Sequence, residues 1–223
     1  MEAYMSSRVV IFDYGAGNIF SIKVALERLG AGVEVIRSMD NLDVYDALIL
    51  PGVGNFDPAM RSIMPYKDEL LDAIGSGMPM LGICLGMEML FERSKEGTLP
   101  GLSILEGEVV MLPKSVKIPH MGWNRLKVNN VDSSSRDRSS SRSILLNGID
   151  DGTWVYFVHS YHAKPRDAGS SSSSSVVTAT SEYGVEFPAV VEHGNIFGTQ
   201  FHPEKSGSKG MQMLSNFLSY VRR

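Results

Sequence analysis

The only cysteine of the chain, Cys84, lies in Gly82-Ile83-Cys84-Leu85-Gly86, where an apolar stretch gives way to a helical pattern. Glycines on both sides of a reactive side chain at a strand-to-helix junction form a nucleophile elbow, with cysteine in the position serine takes in many hydrolases. A free thiol titrates at about pH 8.5, so it needs help to become a nucleophile at neutral pH. The first turn of a helix supplies unpaired N–H groups and partial positive charge, which favour the thiolate and can hold a developing oxyanion. Such a thiolate attacks a carbonyl carbon and forms an acyl enzyme, given a base and a group to orient that base. Thr199-Gln200-Phe201-His202-Pro203-Glu204 offers both. If the chain stays extended there, His202 and Glu204 lie on one side, so the carboxylate can hold one imidazole nitrogen while the other faces Cys84. Pro51-Gly52-Val53-Gly54 follows the apolar run Ala47 to Leu50. A glycine-rich turn at a strand's C-terminal end exposes backbone N–H groups where open α/β sheets place their sites, and is expected to supply a second oxyanion donor. Taken singly, these are a core thiol, a loop histidine and a plain turn; together they read as acyl-transfer machinery.

The elements that must carry these residues are legible from periodicity. Val9 to Phe12, Val33 to Ile36, Ala47 to Leu50 and Met80 to Ile83 are short apolar runs bounded by turn residues, hence buried strands. Asn18 can cap a helix with apolar positions Ile19, Ile22, Leu26 and Leu29, which Gly30 stops. Further helices are predicted from about Lys67 to Ile74 and from Leu85 to about Phe91. Strands alternating with helices predict a parallel sheet covered on both faces. After Gly107, the short runs Trp154 to Val158, Val176 to Thr180, Ala189 to Glu192 and Ile196 to Phe201 alternate with turns and predict antiparallel strands. A last helix carries Met211, Leu214, Leu218 and Val221 on one face.

The 223 residues, 43% hydrophobic and 21% charged, fit one domain over 1–223 with a sizeable core. Residues 1–7 read as an N-terminal extension without the apolar core of a signal peptide, and no apolar run is long enough to span a bilayer. A net charge of -4 leaves no basic footprint for nucleic acid. A cytoplasmic enzyme is the expectation, without nucleic acid or membrane as partner. One cysteine excludes an intrachain disulfide and any CxxC metal or redox site. The serine-rich stretches 133–143 and 170–175 cannot bury apolar surface and are expected to be mobile loops. Gly15-Ala16-Gly17 lacks the spacing of a phosphate-binding loop and reads as a turn. His120, His159 and His193 are expected to be structural.

Gly-Ile-Cys-Leu-Gly, the Pro-Gly-Val-Gly turn and the Phe-His-Pro-Glu ending together resemble the class I (triad) glutamine amidotransferases, over nearly the whole chain. The resemblance implies a flavodoxin-like open, mostly parallel sheet with an inserted antiparallel β region, and glutamine hydrolysis through a Cys84 thioester. Asp13 to Asn18, Pro119-His120-Met121-Gly122-Trp123-Asn124, Tyr156-Phe157-Val158-His159-Ser160-Tyr161 and Lys205 resemble one branch of that family. Its members pass ammonia to a (β/α)8-barrel cyclase in histidine biosynthesis. Other readings are a glutaminase serving an anthranilate, aminodeoxychorismate or pyridoxal-phosphate synthase, and a non-catalytic relative of the fold.

What the resemblance implies is specific. Cys84 is the nucleophile, His202 shuttles protons and Glu204 orients His202. Backbone N–H groups around Gly52, Val53 and Leu85 form the oxyanion site. Ser160 and Tyr161 line the α-amino and carboxylate end of glutamine. Asn18, Met121, Trp123, Tyr156 and Lys205 face the partner, and neither cofactor nor metal is implied. One position departs from the pattern: the family usually has glutamine four residues after the nucleophile, where this chain has Glu88. An ionised carboxylate only accepts hydrogen bonds, and its charge opposes a neighbouring thiolate. It can still receive a substrate's ammonium or amide N–H. Glu88 is read as a tolerated variant within the substrate site.

Overall fold

The computed structural model of the chain describes residues 7–15, 17–129, 143–166 and 176–222. In the first half, strands β1 (Arg8–Phe12), β2 (Gly32–Ile36), β3 (Ala47–Leu50) and β4 (Met80–Ile83) alternate with helices α1 (Ile19–Arg28), α2 (Phe56–Ile63) and α3 (Lys67–Gly75). The one-turn helix α4 (Leu85–Glu88) follows β4 directly. Then come β5 (Phe91–Ser94), β6 (Leu105–Met111), β7 (His120–Arg125), β8 (Lys127–Val128), β9 (Trp154–His159) and β10 (Tyr161–Pro165). Strands β11 (Val177–Glu182), β12 (Glu186–His193) and β13 (Ile196–Thr199) lead into the last helix, α5 (Gly207–Val221).

The main sheet runs β2-β1-β3-β4-β13-β12-β11-β8. Its first five strands are parallel, and β12, β11 and β8 extend it antiparallel. Strand order reverses between β1 and β3, and the C-terminal ends of the strands around such a reversal are where open α/β sheets leave a crevice. Alternation along each strand sorts the core onto two faces. Val9, Ile11, Ala47 and Ile49 pack with Ile22 and Leu26 of α1 and Leu214 and Phe217 of α5. Val10, Phe12, Leu48 and Leu50 pack with Phe56 and Met60 of α2 and Leu70 of α3. Two smaller sheets complete the fold: β10-β6-β5, and an antiparallel ribbon β7-β9.

The expected strands and helices are present, but β5, β6, β7, β8 and β10 were not anticipated. Strand β13, expected among the antiparallel strands, also pairs parallel with β4. Helix α2 was not anticipated; Pro58 falls in its first turn, where a missing N–H has no partner to lose. The helix after Cys84 ends at Glu88 rather than near Phe91, where the chain turns into β5 beside β6. Ser7, expected in the N-terminal extension, is buried and belongs to the fold: its carbonyl accepts the Gly32 N–H at 2.9 Å and its hydroxyl accepts from Arg222 at 3.1 Å. Ser143, expected in the first serine loop, is also fixed, its hydroxyl bonded to the Glu192 carboxylate at 2.5 Å. The rest of both serine tracts, with Met1 to Ser6, lies outside the described residues.

Candidate active site

The elbow is set by close packing of backbone on backbone. A Cβ on Gly82 would sit 2.6 Å from the Gly86 carbonyl oxygen, and one on Gly86 would sit 2.0 Å from that of Leu50. A Cβ on Gly52 would meet the Leu85 and Gly86 nitrogens at 2.7 Å. No side chain fits at these three positions, so β3, the Gly52 turn and α4 press together around Cys84. Cys84 itself has φ 51°, ψ -106°, a strained conformation for a non-glycine residue that turns its side chain out at the end of β4. The turn after β1 lies alongside, with Gly17 near the Gly52 and Val53 nitrogens. Neither of those two N–H groups is hydrogen-bonded among the described residues.

His202 follows β13, the parallel neighbour of β4. Its N–H donates to Tyr156 O of β9 at 2.9 Å, and its carbonyl accepts from the Ser206 hydroxyl at 2.7 Å. The ring is buried, and Nδ1 lies 2.9 Å from Glu204 Oε1. An ionised carboxylate can only accept, so Nδ1 carries a hydrogen and a neutral ring leaves Nε2 as the basic nitrogen. Nε2 is buried and has no hydrogen-bond partner among the described residues. The Cys84 thiol donates to Val158 O at 3.5 Å instead. Burial, then the neighbouring Glu88 and Glu204 charges, push the thiol well up from its ordinary pKa, against hydrogen bonds from Leu85 N–H and Gln200 that pull it down. The resting nucleophile is therefore a protonated thiol.

A cavity of about 270 Å³ opens on Cys84. Val53, Leu85, Glu88, Ser160 and Tyr161, all expected at the site, line it. Gly52, His202 and Glu204 are not among its lining residues; Gly52 packs against the elbow. The sequence reading missed three neighbours. Glu96 lines the cavity, its carboxylate held by the Phe56 N–H at 2.9 Å. Gln200 donates to Glu88 Oε1 at 2.9 Å and points Nε2 at Cys84 Sγ at 3.8 Å. The chain does not stay extended beyond His202 as expected: Pro203–Lys205 form a single 3-10 turn, and this turn sets the Glu204 carboxylate against His202 Nδ1. Tyr14 is buried with its hydroxyl unpartnered among the described residues, and burial with the nearby Cys84 and Glu88 charges drives its pKa well up. No group of three His, Cys, Asp or Glu side chains among the described residues is placed to hold a metal ion.

The candidate interface residues gather on one side of the molecule. Met121 and Trp123 stand exposed on the β7-β9 ribbon, where Trp123 pairs with Tyr156 and their rings meet edge to face at 5.9 Å. Lys205 lies in the short turn Pro203–Lys205, which packs against β9, α1 and α5. Asn18 caps α1, accepting the Ser21 N–H at 3.2 Å. Phe20 and Trp154, 75% and 50% exposed, add apolar surface that the sequence did not suggest. The inner side of the ribbon holds histidines. His159 Nδ1 donates to Tyr161 O at 2.8 Å, so its Nε2 accepts from His120 Nδ1 at 3.0 Å. His120 stacks on Tyr183 with ring centroids 4.0 Å apart.

Fold and site together define a class. The chain belongs to the class-I glutamine amidotransferase family, whose model matches residues 10–221. Its relatives include the imidazole glycerol phosphate synthase subunit HisH of Natronomonas pharaonis, 44% identical over 96% of this chain and 95% of that protein. The subunit of the same name from Halobacterium salinarum is 44% identical over 95% of this chain and 93% of its own length. Among solved structures, PurLQS from Thermotoga maritima superposes with a TM-score of 0.72 at 21% identity, covering 97% of this chain and all of its counterpart. A glutamine amidotransferase from the same organism gives 0.61 at 16% identity, covering 90% of this chain and 77% of that one. At these identities the likeness to both structures is one of fold.

Proposed function

We infer that this chain is the glutaminase subunit of an imidazole glycerol phosphate synthase, hydrolysing glutamine and passing the ammonia to a cyclase subunit. The observation that carries the reading is the strained elbow cysteine at the C-terminal edge of the parallel sheet, beside a buried His202–Glu204 pair. Relatives at 44% identity over nearly the full length point to this synthase rather than another.

In the proposed chemistry, glutamine enters with its carboxamide at Cys84. His202 Nε2 takes the thiol proton, and Sγ bonds to the carboxamide carbon while the C=O π pair moves onto oxygen. That oxyanion is held by N–H groups of Val53, at the Gly52 turn, and Leu85, and each such donor is typically worth roughly 10²–10³ in rate. The C–N bond then breaks; the imidazolium proton goes to the departing nitrogen, and ammonia leaves a glutamyl thioester. Water attacks the thioester carbon, giving a proton to His202; the C–S bond then breaks, the Cys84 thiolate takes that proton from His202, and glutamate is released. Glu204 keeps His202 in the tautomer that leaves Nε2 basic. Ser160 and Tyr161 line the cavity and are read as holding the amino-acid end of the substrate. Glu96, a carboxylate lining a cavity with no Lys or Arg in its wall among the described residues, is read as receiving the α-ammonium.

The partner is read as a (β/α)8-barrel cyclase that docks on the face carrying Asn18, Met121, Trp123, Tyr156 and Lys205. The chain as a whole, 1–223, is read as one amidotransferase domain acting in the cytoplasm; among the described residues no helix is long and apolar enough to cross a membrane. Mixing the purified chain with a cyclase that forms imidazole glycerol phosphate tests this directly. Glutamine-dependent formation of imidazole glycerol phosphate and the aminoimidazole carboxamide ribotide by-product is expected. Glutamine-dependent product with an anthranilate, aminodeoxychorismate or pyridoxal-phosphate synthase partner instead would assign the chain elsewhere.

A further inference from the structure

The position four residues after the nucleophile carries a carboxyl group in a place hostile to charge. Glu88 is 4% exposed and belongs to α4, one turn from Cys84. Oε1 accepts a single hydrogen bond from Gln200 Nε2, a neutral donor, at 2.9 Å. Glu88 forms no salt bridge among the described residues. The titratable groups that face it from the packed elements are Cys84 at the head of α4, Tyr14 after β1, Tyr161 of β10 and Glu96 after β5. Glu204, beyond His202, adds its charge to the same pocket through Cys84. Each of these is neutral or negative, and among the described residues no Lys or Arg lines the cavity. An ionised carboxylate among them lacks a counter-charge, and burial of an unpaired charge is resolved by taking up a proton.

We propose that Glu88 works as a neutral carboxylic acid, standing in for an amide beside Cys84, and that ionising it switches the glutaminase off. A protonated carboxyl has one O–H donor and one carbonyl acceptor, the donor–acceptor pair an amide presents. Its carbonyl oxygen accepts from Gln200, which leaves the hydroxyl as a donor in a cavity whose other carboxyl group, among the described residues, is Glu96. In this form it adds no negative charge next to Cys84, so the thiol proton can pass to His202 when substrate binds. Burial, offset by the Gln200 hydrogen bond and reinforced by the Glu96 charge, raises the Glu88 pKa to about 8, so the neutral form dominates at neutral pH. Ionisation above that point places a charge beside the sulfur and removes the donor. Glu88 is thus a positioning and charge-controlling residue for Cys84, an inference that rests on the glutaminase reading for its activity arm only.

The test compares the chain with Glu88→Gln in the reconstituted synthase. Glutamine-dependent kcat/KM, scaled to each protein's own maximum, should fall about tenfold per pH unit above pH ~8 in the original protein, the slope of a single ionisation. In Glu88→Gln that limb should be absent up to the pH at which ammonia-dependent synthesis by the cyclase itself declines. Coincident alkaline limbs would overturn the proposal. An independent arm uses the chain alone. Cys84 is the only cysteine, so the rate of iodoacetamide alkylation against pH reads its thiolate directly. The alkylation midpoint should drop by about one pH unit or more in Glu88→Gln; superimposable curves would contradict the charge coupling even if glutamine turnover had failed for other reasons. A third arm needs no variant: the infrared spectrum at neutral pH should contain a buried protonated-carboxyl band that vanishes as pH passes about 8. Its absence from the unmodified protein would refute the neutral acid outright.

Discussion

At the scale of single residues, the site is defined by what cannot be added as much as by what is present. Gly82, Gly86 and Gly52 close on one another so tightly that the elbow has no room for a methyl group. Gly86→Ala would bring Cβ to 2.0 Å from the Leu50 carbonyl oxygen, a backbone atom that can yield only if β3 and α4 separate. Overpacking of this kind destabilises by on the order of 3 kcal/mol. Because the strain falls on the elbow itself, chemical denaturation of Gly86→Ala should show a lower midpoint, together with loss of glutamine turnover. An unchanged midpoint would mean the strand and helix are less tightly apposed than the geometry requires.

At the scale of elements, the β7-β9 ribbon links the cavity to the exposed apolar face. Its outer side carries Met121 and Trp123, its inner side His120 and His159, and its Val158 carbonyl holds the resting thiol. An exposed, pre-packed tryptophan beside a tyrosine is the kind of anchor that dominates binding energy. Trp123→Ala should weaken cyclase binding by about 2 kcal/mol, roughly 30-fold in Kd, measured by titration calorimetry. An unaltered Kd would move the interface off the ribbon. The parallel strands and α1 were legible because their apolar spacing is unambiguous, and Asn18 and Gly30 mark both ends of that helix. The proposed triad of Cys84, His202 and Glu204 could be picked out in the sequence because such chemistry needs fixed neighbours along the chain. Glu96 was not, since its place in the cavity comes from the Phe56 N–H forty residues away and carries no local pattern. Nor was the β7-β9 pairing, which joins segments on either side of a serine tract. The expectation that His120 and His159 are structural agrees with their buried, mutually bonded geometry, while His193 lies at the end of β12, away from them.

At the scale of the whole molecule, buried titratable groups set opposing limits on stability. Burial lowers His120 to about 4 and His159 to about 3, the latter against a hydrogen bond to the Tyr161 carbonyl that pulls it up. Both are neutral in the folded protein where the unfolded chain would bind protons, so stability should fall as pH drops from about 6.5 toward 4. Glu88 acts in the opposite sense. Folded, it keeps its proton up to about pH 8; unfolded, it loses it at ordinary carboxylate pH, so stability falls as pH rises from about 4.5 to 8. Melting temperature against pH should therefore decline on both sides of a mildly acidic optimum. Glu88→Gln should flatten the alkaline side, with a gain on the order of 3 kcal/mol at pH 8 that fades toward pH 5. A gain independent of pH would show the benefit to be packing rather than charge.

The whole molecule also has a single task in the proposed synthase, to turn glutamine nitrogen into ammonia for its partner. Only Cys84 can form the thioester, whereas the partner's own chemistry needs ammonia and not the thiol. The most direct measurement is therefore synthesis by the reconstituted complex containing Cys84→Ala, supplied in parallel with glutamine and with an ammonium salt. Glutamine-dependent synthesis should fall by at least about 10³-fold while the ammonia-dependent rate stays within a factor of about two of the original. Substantial glutamine-dependent synthesis by the alanine variant would contradict the assignment of Cys84 as nucleophile.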